Sequence, residues 1–88
     1  MNKKKLIEKL KYIPMPVLCH VDDRLYIAEL ISQVNEMYRQ EISWLYSYNF
    51  FIYFYKTENI AKLQRIGFAR RKTNTWLRDI IIGMKNNY

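Results

Sequence analysis

The sequence predicts a small, mainly α domain, with an α+β arrangement left open. Half of the 88 residues are hydrophobic and 16% are aromatic, which is too apolar a composition for a disordered chain. The chain has only two glycines and two prolines, so tight turns are few, whereas a β-sandwich needs one about every ten residues. This length allows one domain, residues 1–88, with one modest core.

The first predicted element is a short basic amphipathic helix over residues 3–11. Leu6, Ile7 and Leu10 repeat at helical spacing among lysines, and two prolines that follow would end the helix. After the prolines, residues 17–21 have the composition of a short extended segment. The N-terminal part is therefore expected to be helix, turn and extended chain.

A long central helix is predicted next, beginning at Asp22 and Asp23, because aspartate is favoured at a helix N-cap. Its apolar positions recur at steps of three and four residues: Leu30, Ile31, Val34, Tyr38, Ile42 and Leu45. From residue 42 the pattern also fits a period of two, and the aromatic and β-branched residues of 50–55 favour a short aromatic strand. A lone strand would need a partner, either residues 17–21 or a second copy of the chain.

Residues 58–84 again have helical spacing, and we predict a break at Gly67 that divides them into a C-terminal helix pair. One continuous helix would place Arg70, Thr73 and Asn74 in the apolar stripe, where they would be buried for no evident reason. Glycine has a low helix propensity and tolerates the backbone conformation that ends a helix. Two helices that meet at Gly67 remove this conflict.

This helix pair resembles a helix-turn-helix, a motif that places its second helix in the major groove of DNA. The apolar residues of the motif would be Leu63 and Ile66 before the turn, Phe68 after it, and Trp76 and Leu77 in the second helix. The residues predicted to bind nucleic acid are Arg65, Arg70, Arg71, Lys72, Asn74, Thr75 and Arg78. Arginine pairs with guanine and asparagine with adenine, while lysine and threonine hold phosphates. The match is partial, since Leu63 and Thr73 depart from the usual pattern, and a solvated basic helix pair is the alternative.

The charge distribution agrees with a polyanionic partner. The net charge is +7, with five basic and one acidic residue in 1–11, two and five in 12–49, and eight and two in 50–88. Such asymmetry favours one surface that attracts polyanions or acidic proteins. The sequence does not distinguish between these two kinds of partner.

Residues 44–55 contain eight aromatic side chains. They could stack on the bases of single-stranded nucleic acid or anchor a protein partner, but in so small a chain most of them must build the core. The rings expected in the core are Trp44, Phe50, Phe51, Phe54 and Tyr55. Tyr46, Tyr48 and Tyr53 are the predicted exposed, partner-binding residues, because their hydroxyls are well hydrated.

No catalytic residue, metal or cofactor is predicted. Cys19 and His20 lie near Asp22 and Asp23, but one cysteine and one histidine cannot complete a tetrahedral zinc site in a monomer, and no third group is spaced to orient the histidine. A single cysteine also excludes an internal disulfide, and charges interrupt the N-terminal apolar positions where a signal peptide would be continuous. The apolar run 44–55 is shorter than the ~20 residues that span a bilayer. We therefore expect a cytoplasmic protein with no membrane partner.

The region 3–36 contains the strings KKLIEKLKYIPMP and DDRLYIAELISQVNE. This region resembles the opening of small accessory proteins of phages that infect Gram-positive bacteria, in which a K-x-L-I-E-K-L helix precedes a proline turn and an A-E-L-I-type helix. The resemblance implies an intracellular, non-enzymatic protein that regulates or blocks the nucleic-acid machinery of the host cell. Anti-CRISPR and other anti-defence proteins belong to this population.

Two functions are therefore predicted. The first is a phage-type nucleic-acid-binding regulator that acts through the basic C-terminal helix pair. The alternative is a stoichiometric protein inhibitor of host nucleic-acid machinery that binds through its aromatic segment and basic face. A homodimer through the long helix or the aromatic segment is compatible with both. A membrane-surface role for the first helix is disfavoured, because its apolar face is only three residues wide.

Overall fold

The computed structural model describes Glu8, residues 10–56 and residues 61–87. Within these parts the chain forms three α-helices: α1, Arg24–Ile31; α2, Glu36–Tyr55; and α3, Lys62–Asn87. A 3-10 turn, Val21–Asp23, precedes α1. The described residues include no β-strand, which confirms the mainly α prediction and leaves the α+β alternative without support in this part of the chain. Most of the predicted helix over 3–11 lies outside the described residues.

The N-terminal capping of α1 differs from the sequence prediction. The His20 side chain accepts a hydrogen bond from the backbone N–H of Asp22 at 3.1 Å and so caps the 3-10 turn. Asp23 occupies the N-cap of α1 but makes no capping hydrogen bond, because its carboxylate is directed towards α3. Residues 17–21, predicted to be extended, pass through bends into the 3-10 turn, so they offer no strand edge.

The predicted long central helix is two helices. α1 ends at Ile31, and α2 begins after Asn35, whose side-chain oxygen accepts a hydrogen bond from the backbone two residues later at 3.1 Å. The Arg39 guanidinium donates to the carbonyls of Ser32 and Val34, each at 3.0 Å, and so satisfies two carbonyls of the connection between α1 and α2. Both Ile31 and Val34 are buried. The apolar spacing therefore continues across the break and conceals it.

The predicted aromatic strand over 50–55 is wrong, because α2 continues as a helix to Tyr55. Its last turn is closed by the N–H of Lys56, which donates to the carbonyl of Ile52 at 2.9 Å. A strand here would leave its backbone groups without partners, since no other described segment forms a strand. Burial of one side of α2 against α3 outweighs the β propensity of the aromatic residues.

The predicted break at Gly67 is also wrong, because α3 is one helix of 26 residues. Gly67 has no positive φ angle, and a methyl group built on it would meet no other atom within 4 Å. Glycine inside a helix costs only about 1 kcal/mol relative to alanine, which packing of α3 on the core offsets. There is no turn at this point and so no helix-turn-helix.

The helices enclose a hydrophobic core to which the chain before α1 also contributes. The core residues are Leu10, Ile13, Ile27, Ala28, Ile31, Val34, Ile42, Tyr46, Leu77 and Ile81. The largest contact is between α2 and α3, and α1 packs against both. Each of the two long helices therefore buries one face and presents the opposite face to solvent.

Candidate functional site

A cluster of polar side chains joins the three helices inside the fold. Arg70 binds both carboxylate oxygens of Asp23, through Nε and Nη2, each at 2.9 Å. Asn74 Nδ2 donates to the same carboxylate at 3.1 Å, and the Tyr46 hydroxyl donates to the Asn74 side-chain oxygen. This polar cluster connects the N-cap of α1 with α2 and α3.

The polar cluster is partly shielded from water. Tyr46 is fully buried, and the side chains of Asp23 and Arg70 are 13% and 33% exposed. The hydrogen bonds from Arg70, and then those from Asn74, lower the pKa of Asp23. Burial, with the nearby Asp23 charge, raises the pKa of Tyr46. At neutral pH the cluster therefore holds a carboxylate that only accepts and a neutral phenol that donates.

The polar cluster explains how α3 can be continuous. Arg70, Thr73 and Asn74 do lie on the inward side of the helix, as a continuous α3 requires, and two of them bind Asp23. Thr73 is fully buried, and no hydrogen-bond partner for its hydroxyl occurs among the described residues. The fold turns the side chains of Arg70 and Asn74 towards Asp23, so both already have an internal partner, and their predicted contact with nucleic acid stays a prediction.

We expect the polar cluster to make the fold sensitive to acid. The pKa of Asp23 lies below its usual 3.8 in the folded protein, so the unfolded chain takes up a proton at higher pH than the folded one. The contribution of Asp23 to the free energy of unfolding is thus complete above about pH 5 and is lost as the pH falls through the folded-state pKa. Thermal melts from about pH 6 to pH 3 should show a fall in Tm that is smaller in the Asp23→Asn variant.

The matched control for this pH series is Asp79→Asn, since Asp79 is an exposed carboxylate paired with Arg78 at 3.5 Å. An exposed pair contributes little to stability, so this variant should keep the pH dependence of the wild type. An Asp23→Asn variant that keeps the full wild-type fall in Tm would contradict the assignment of acid sensitivity to the polar cluster.

Four of the predicted nucleic-acid contacts lie on the exposed face of α3. They are Arg71, Lys72, Thr75 and Arg78. Helix α3 carries seven basic residues and one acidic residue, and the acidic residue, Asp79, is the neighbour of Arg78. Arg65, also a predicted contact, lies partly buried nearer the start of the helix. The exposed face of α3 is therefore strongly basic.

A groove of about 440 Å³ runs beside this basic face. It is lined by Tyr53, Arg71, Lys72, Thr75, Trp76 and Asp79, and we call it the α2–α3 groove. The Lys72 ammonium lies 5.7 Å from the ring centroid of Phe68, and that ring meets Tyr53 edge to face at 6.0 Å between centroids. The Lys56 ammonium is 5.8 Å from the Tyr53 ring. Aromatic rings and cations thus contact one another in the groove and at its border, where Phe68 and Lys56 adjoin the lining residues.

The outward face of α2 is aromatic, contrary to the prediction that most rings build the core. Trp44, Phe51 and Tyr55, expected in the core, are 64%, 47% and 53% exposed, whereas Tyr46, expected to be exposed, is fully buried. Tyr48 is 53% exposed. The reason is helical phase: Tyr46 shares the inward side of α2 with the core, and the others fall opposite.

The exposed rings of α2 contact one another. Trp44 and Tyr48 stack with 6.0 Å between centroids and 8° between planes, and Phe51 and Tyr55 lie 4.6 Å apart. With Met37, which is 73% exposed, these residues form a mainly apolar strip that we call the aromatic seam: Met37, Trp44, Tyr48, Phe51 and Tyr55. Exposed apolar side chains grouped in this way are a feature of interaction surfaces.

The region of Cys19 and His20 has a structural role. The Cys19 thiol is half-buried and lies 4.0 Å from the carbonyl oxygen of Pro16, and burial raises its pKa. A raised pKa makes a thiol less nucleophilic at neutral pH. In the part of the chain that the structure describes, no three His, Cys, Asp or Glu residues are grouped to hold a metal ion.

Two functional residues escaped the sequence reasoning. Asp23 was predicted only as a helix N-cap. A continuous α3 places Arg70 and Asn74 in its apolar stripe, where an arginine needs an acidic partner. That need was the one signal in the sequence that could have indicated Asp23. Trp76 was predicted to be one of the apolar residues in the second helix of the motif, but it lines the α2–α3 groove. No local pattern identifies it, because the groove forms only when α2 and α3 pack together.

Comparison with known proteins gives no relative: the chain matches no protein-family model, no curated protein and no solved structure. Among the helices described, none is both long enough and apolar enough to cross a membrane. The features of the molecule that bear on function are therefore the α2–α3 groove, the basic face of α3 and the aromatic seam.

Proposed function

We propose that this chain is a small, non-enzymatic nucleic-acid-binding regulator of phage type, and that its α2–α3 groove takes a single-stranded segment. The observation that carries the proposal is the composition of the groove, where Tyr53 and Trp76 lie beside Arg71 and Lys72. Aromatic rings stack on any base, and cations neutralise the phosphates between bases. The combination suits an unpaired strand, whose bases are free to turn towards the protein.

The basic face of α3 extends this site beyond the groove. Arg71 and Arg78 are seven residues apart, which is about two helical turns or ~10 Å, and both are exposed. Two cations on one helix face at this separation can follow a phosphate backbone. The single acidic residue of α3, Asp79, is too exposed to cancel this field.

The mode of binding differs from the helix-turn-helix prediction. Without a turn at Gly67, α3 has no free N-terminal end at this point to enter a major groove. Asn74, the residue best suited to read adenine, is bound to Asp23 and Tyr46. We therefore propose that phosphate contacts and stacking supply the affinity, with little dependence on base sequence.

The test is a fluorescence-anisotropy titration of labelled single-stranded and duplex DNA and RNA at two salt concentrations. We expect single strands to bind more tightly than duplex, and an Arg71→Ala/Lys72→Ala variant to bind at least tenfold more weakly. Because each phosphate contact on a single strand contributes about 0.7 to the slope of log affinity against log salt, this variant should lose about 1.4 from that slope.

The matched control is Lys62→Ala/Lys85→Ala, which removes the same charge from the exposed ends of the same helix. It should weaken binding far less than the groove variant. Equal losses in the two variants would show a diffuse attraction to charge and would contradict a built site. A Tyr53→Leu variant that binds as well as the wild type would contradict stacking in the groove.

A second candidate function is stoichiometric inhibition of a nucleic-acid-handling host protein, as in anti-CRISPR and other anti-defence proteins. The exposed aromatic seam favours it, since tryptophan and tyrosine are frequent anchors at protein interfaces. The two candidate functions are expected to be lost in different variants. Inhibition of a purified host nuclease at a one-to-one ratio should fail with Trp44→Ala and survive Arg71→Ala, whereas nucleic-acid binding should show the reverse.

A further inference from the structure

We propose that two copies of this chain associate through the outward face of α2 as an antiparallel helix pair. Six residues on this face follow alternating steps of four and three: Met37, Glu41, Trp44, Tyr48, Phe51 and Tyr55. This is the spacing of a coiled-coil seam, whose natural complement is another helix with the same spacing. Five of the six are the residues of the aromatic seam.

Among the residues that the structure describes, the aromatic seam contributes no buried residue to the core of one copy. The buried residues of α2 are Ile42, Ser43 and Tyr46, which lie on the opposite side and face the core. On the seam side, Val17 is 93% exposed and borders an apolar groove of about 340 Å³ together with Trp44. Val17 thus widens the apolar surface available to a second helix.

The exposed area is sufficient for a weak dimer. A large side chain buries ~150–250 Å², and the seam residues are between 47% and 73% exposed. They therefore offer on the order of 500 Å² from each copy, or ~1,000 Å² in total, which is the lower limit for a specific interface. We expect a dissociation constant in the micromolar range.

The charge in the middle of this face selects the antiparallel orientation. Glu41 is exposed on the seam side of α2. A parallel pair would place Glu41 against Glu41 of the second copy. An antiparallel pair with Trp44 opposite Tyr48 instead places Glu41 opposite Phe51, separates the two Glu41 positions by about 15 Å along the helix, and opposes the helix dipoles favourably. The pairing of Trp44 with Tyr48 is the same from either copy, as a two-fold interface requires.

The dimer is independent of the proposed nucleic-acid function. Tyr53 and the α2–α3 groove lie on the other side of α2, so both grooves of a dimer would stay open. A monomer that binds nucleic acid, or a dimer that does not, would separate the two proposals.

Sedimentation equilibrium over a wide concentration range tests whether the dimer forms. We expect a reversible monomer–dimer equilibrium that Trp44→Ala weakens at least tenfold, because both copies lose a central ring. The pair Phe51→Ala and Ile82→Ala provides the matched comparison, since these side chains are 47% and 49% exposed on α2 and α3. Only Phe51→Ala should weaken association, and circular dichroism should show unchanged helix content in both.

Cross-linking tests the orientation, in a Cys19→Ser background that removes the natural thiol. In the antiparallel pair Met37 lies opposite Tyr55 of the second copy, whereas two Met37 positions are about 27 Å apart along the helix. A short bis-maleimide should therefore join a Met37→Cys chain to a Tyr55→Cys chain in a mixture. It should not join two Met37→Cys chains.

Three results would overturn this proposal. A protein that remains monomeric at several hundred micromolar would leave the aromatic seam for a different protein partner. A dimer that Trp44→Ala does not weaken would place the interface elsewhere. Cross-links between two Met37→Cys chains would show a parallel pair.

Discussion

Replacement of Tyr46 by alanine is expected to lower the free energy of unfolding by about 3–5 kcal/mol. Tyr46 is fully buried and stacks against Phe50 with 6.4 Å between ring centroids. Alanine would leave a cavity between α2 and α3 and would remove the donor that satisfies Asn74. Because small domains are stable by only about 5–15 kcal/mol, we expect the variant to lose a large fraction of its stability and to melt at a much lower temperature.

A second variant separates the ring of Tyr46 from its hydroxyl. Tyr46→Phe keeps the packing and removes one buried hydrogen bond to Asn74, so we expect a loss of about 1–2 kcal/mol. Urea denaturation followed by circular dichroism measures both values, at low protein concentration so that association does not contribute. Tyr48→Ala, on the exposed side of α2, should change stability by no more than about 0.5 kcal/mol. Equal losses for Tyr46→Ala and Tyr48→Ala would contradict the placement of α2 on the core.

The second large effect is expected from the ion pair of the polar cluster. Asp23→Ala or Arg70→Ala leaves the partner charge partly buried and unpaired. A fully buried charge in this situation costs 3–5 kcal/mol, but Arg70 is 33% exposed and its charge is screened accordingly. We therefore expect each variant to lose about 2–3 kcal/mol in urea denaturation.

The double variant Asp23→Ala/Arg70→Ala tests whether the two side chains act together. Residues in one hydrogen-bonded network show coupling energies of about 0.5–3 kcal/mol, so the double variant should lose clearly less than the sum of the single losses. Strictly additive losses would mean that the contact is not made in solution.

Arg71→Ala is the matched control for Arg70→Ala, one residue further along α3. Arg71 is exposed, so its removal should leave stability within about 0.5 kcal/mol and weaken nucleic-acid binding. Arg70→Ala should do the opposite at temperatures where it remains folded. This contrast distinguishes a cation that builds the fold from one that serves the proposed function.

The different roles of Arg70 and Arg71 show why the candidate site was only partly predictable from the sequence. The sequence placed both in one nucleic-acid-binding set, because residue type and local spacing treat them alike. One is directed at Asp23, which is 47 residues away in the chain, and no local pattern reveals that partner. Arg71 and Lys72, which face solvent, remain where the prediction placed them.

Tyr53 and Trp76 show that residues of a binding groove can also escape prediction from the sequence. Each has an ordinary place in a helical pattern, and neither is adjacent to the other in sequence. They line one groove only because α2 and α3 pack side by side. A binding groove between two helices depends on how the helices are rotated relative to each other. The periodicity of each helix by itself does not predict that rotation.

Residue order alone was enough to establish that this chain is mainly helical and basic towards its C-terminus. Helix propensity, scarcity of turn residues and three- and four-residue apolar steps are local properties, and charge is a simple sum. Helix boundaries were harder to predict from the sequence. Packing on the core keeps α3 helical at Gly67. The break between α1 and α2, where Arg39 binds the connecting backbone, does not interrupt the apolar spacing.

The inward face of α2 was settled by tertiary contacts. This helix has aromatic rings on both sides, so hydrophobicity gives no preference for either. Asp23, Arg70 and Asn74 are partly buried, and the Tyr46 hydroxyl donates to the Asn74 side chain. A polar group left without a partner where water is partly excluded costs free energy, whereas an exposed ring costs little. This hydrogen bond and the burial of the Tyr46 ring favour the inward position of Tyr46, and Trp44, on the aromatic seam, remains in solvent.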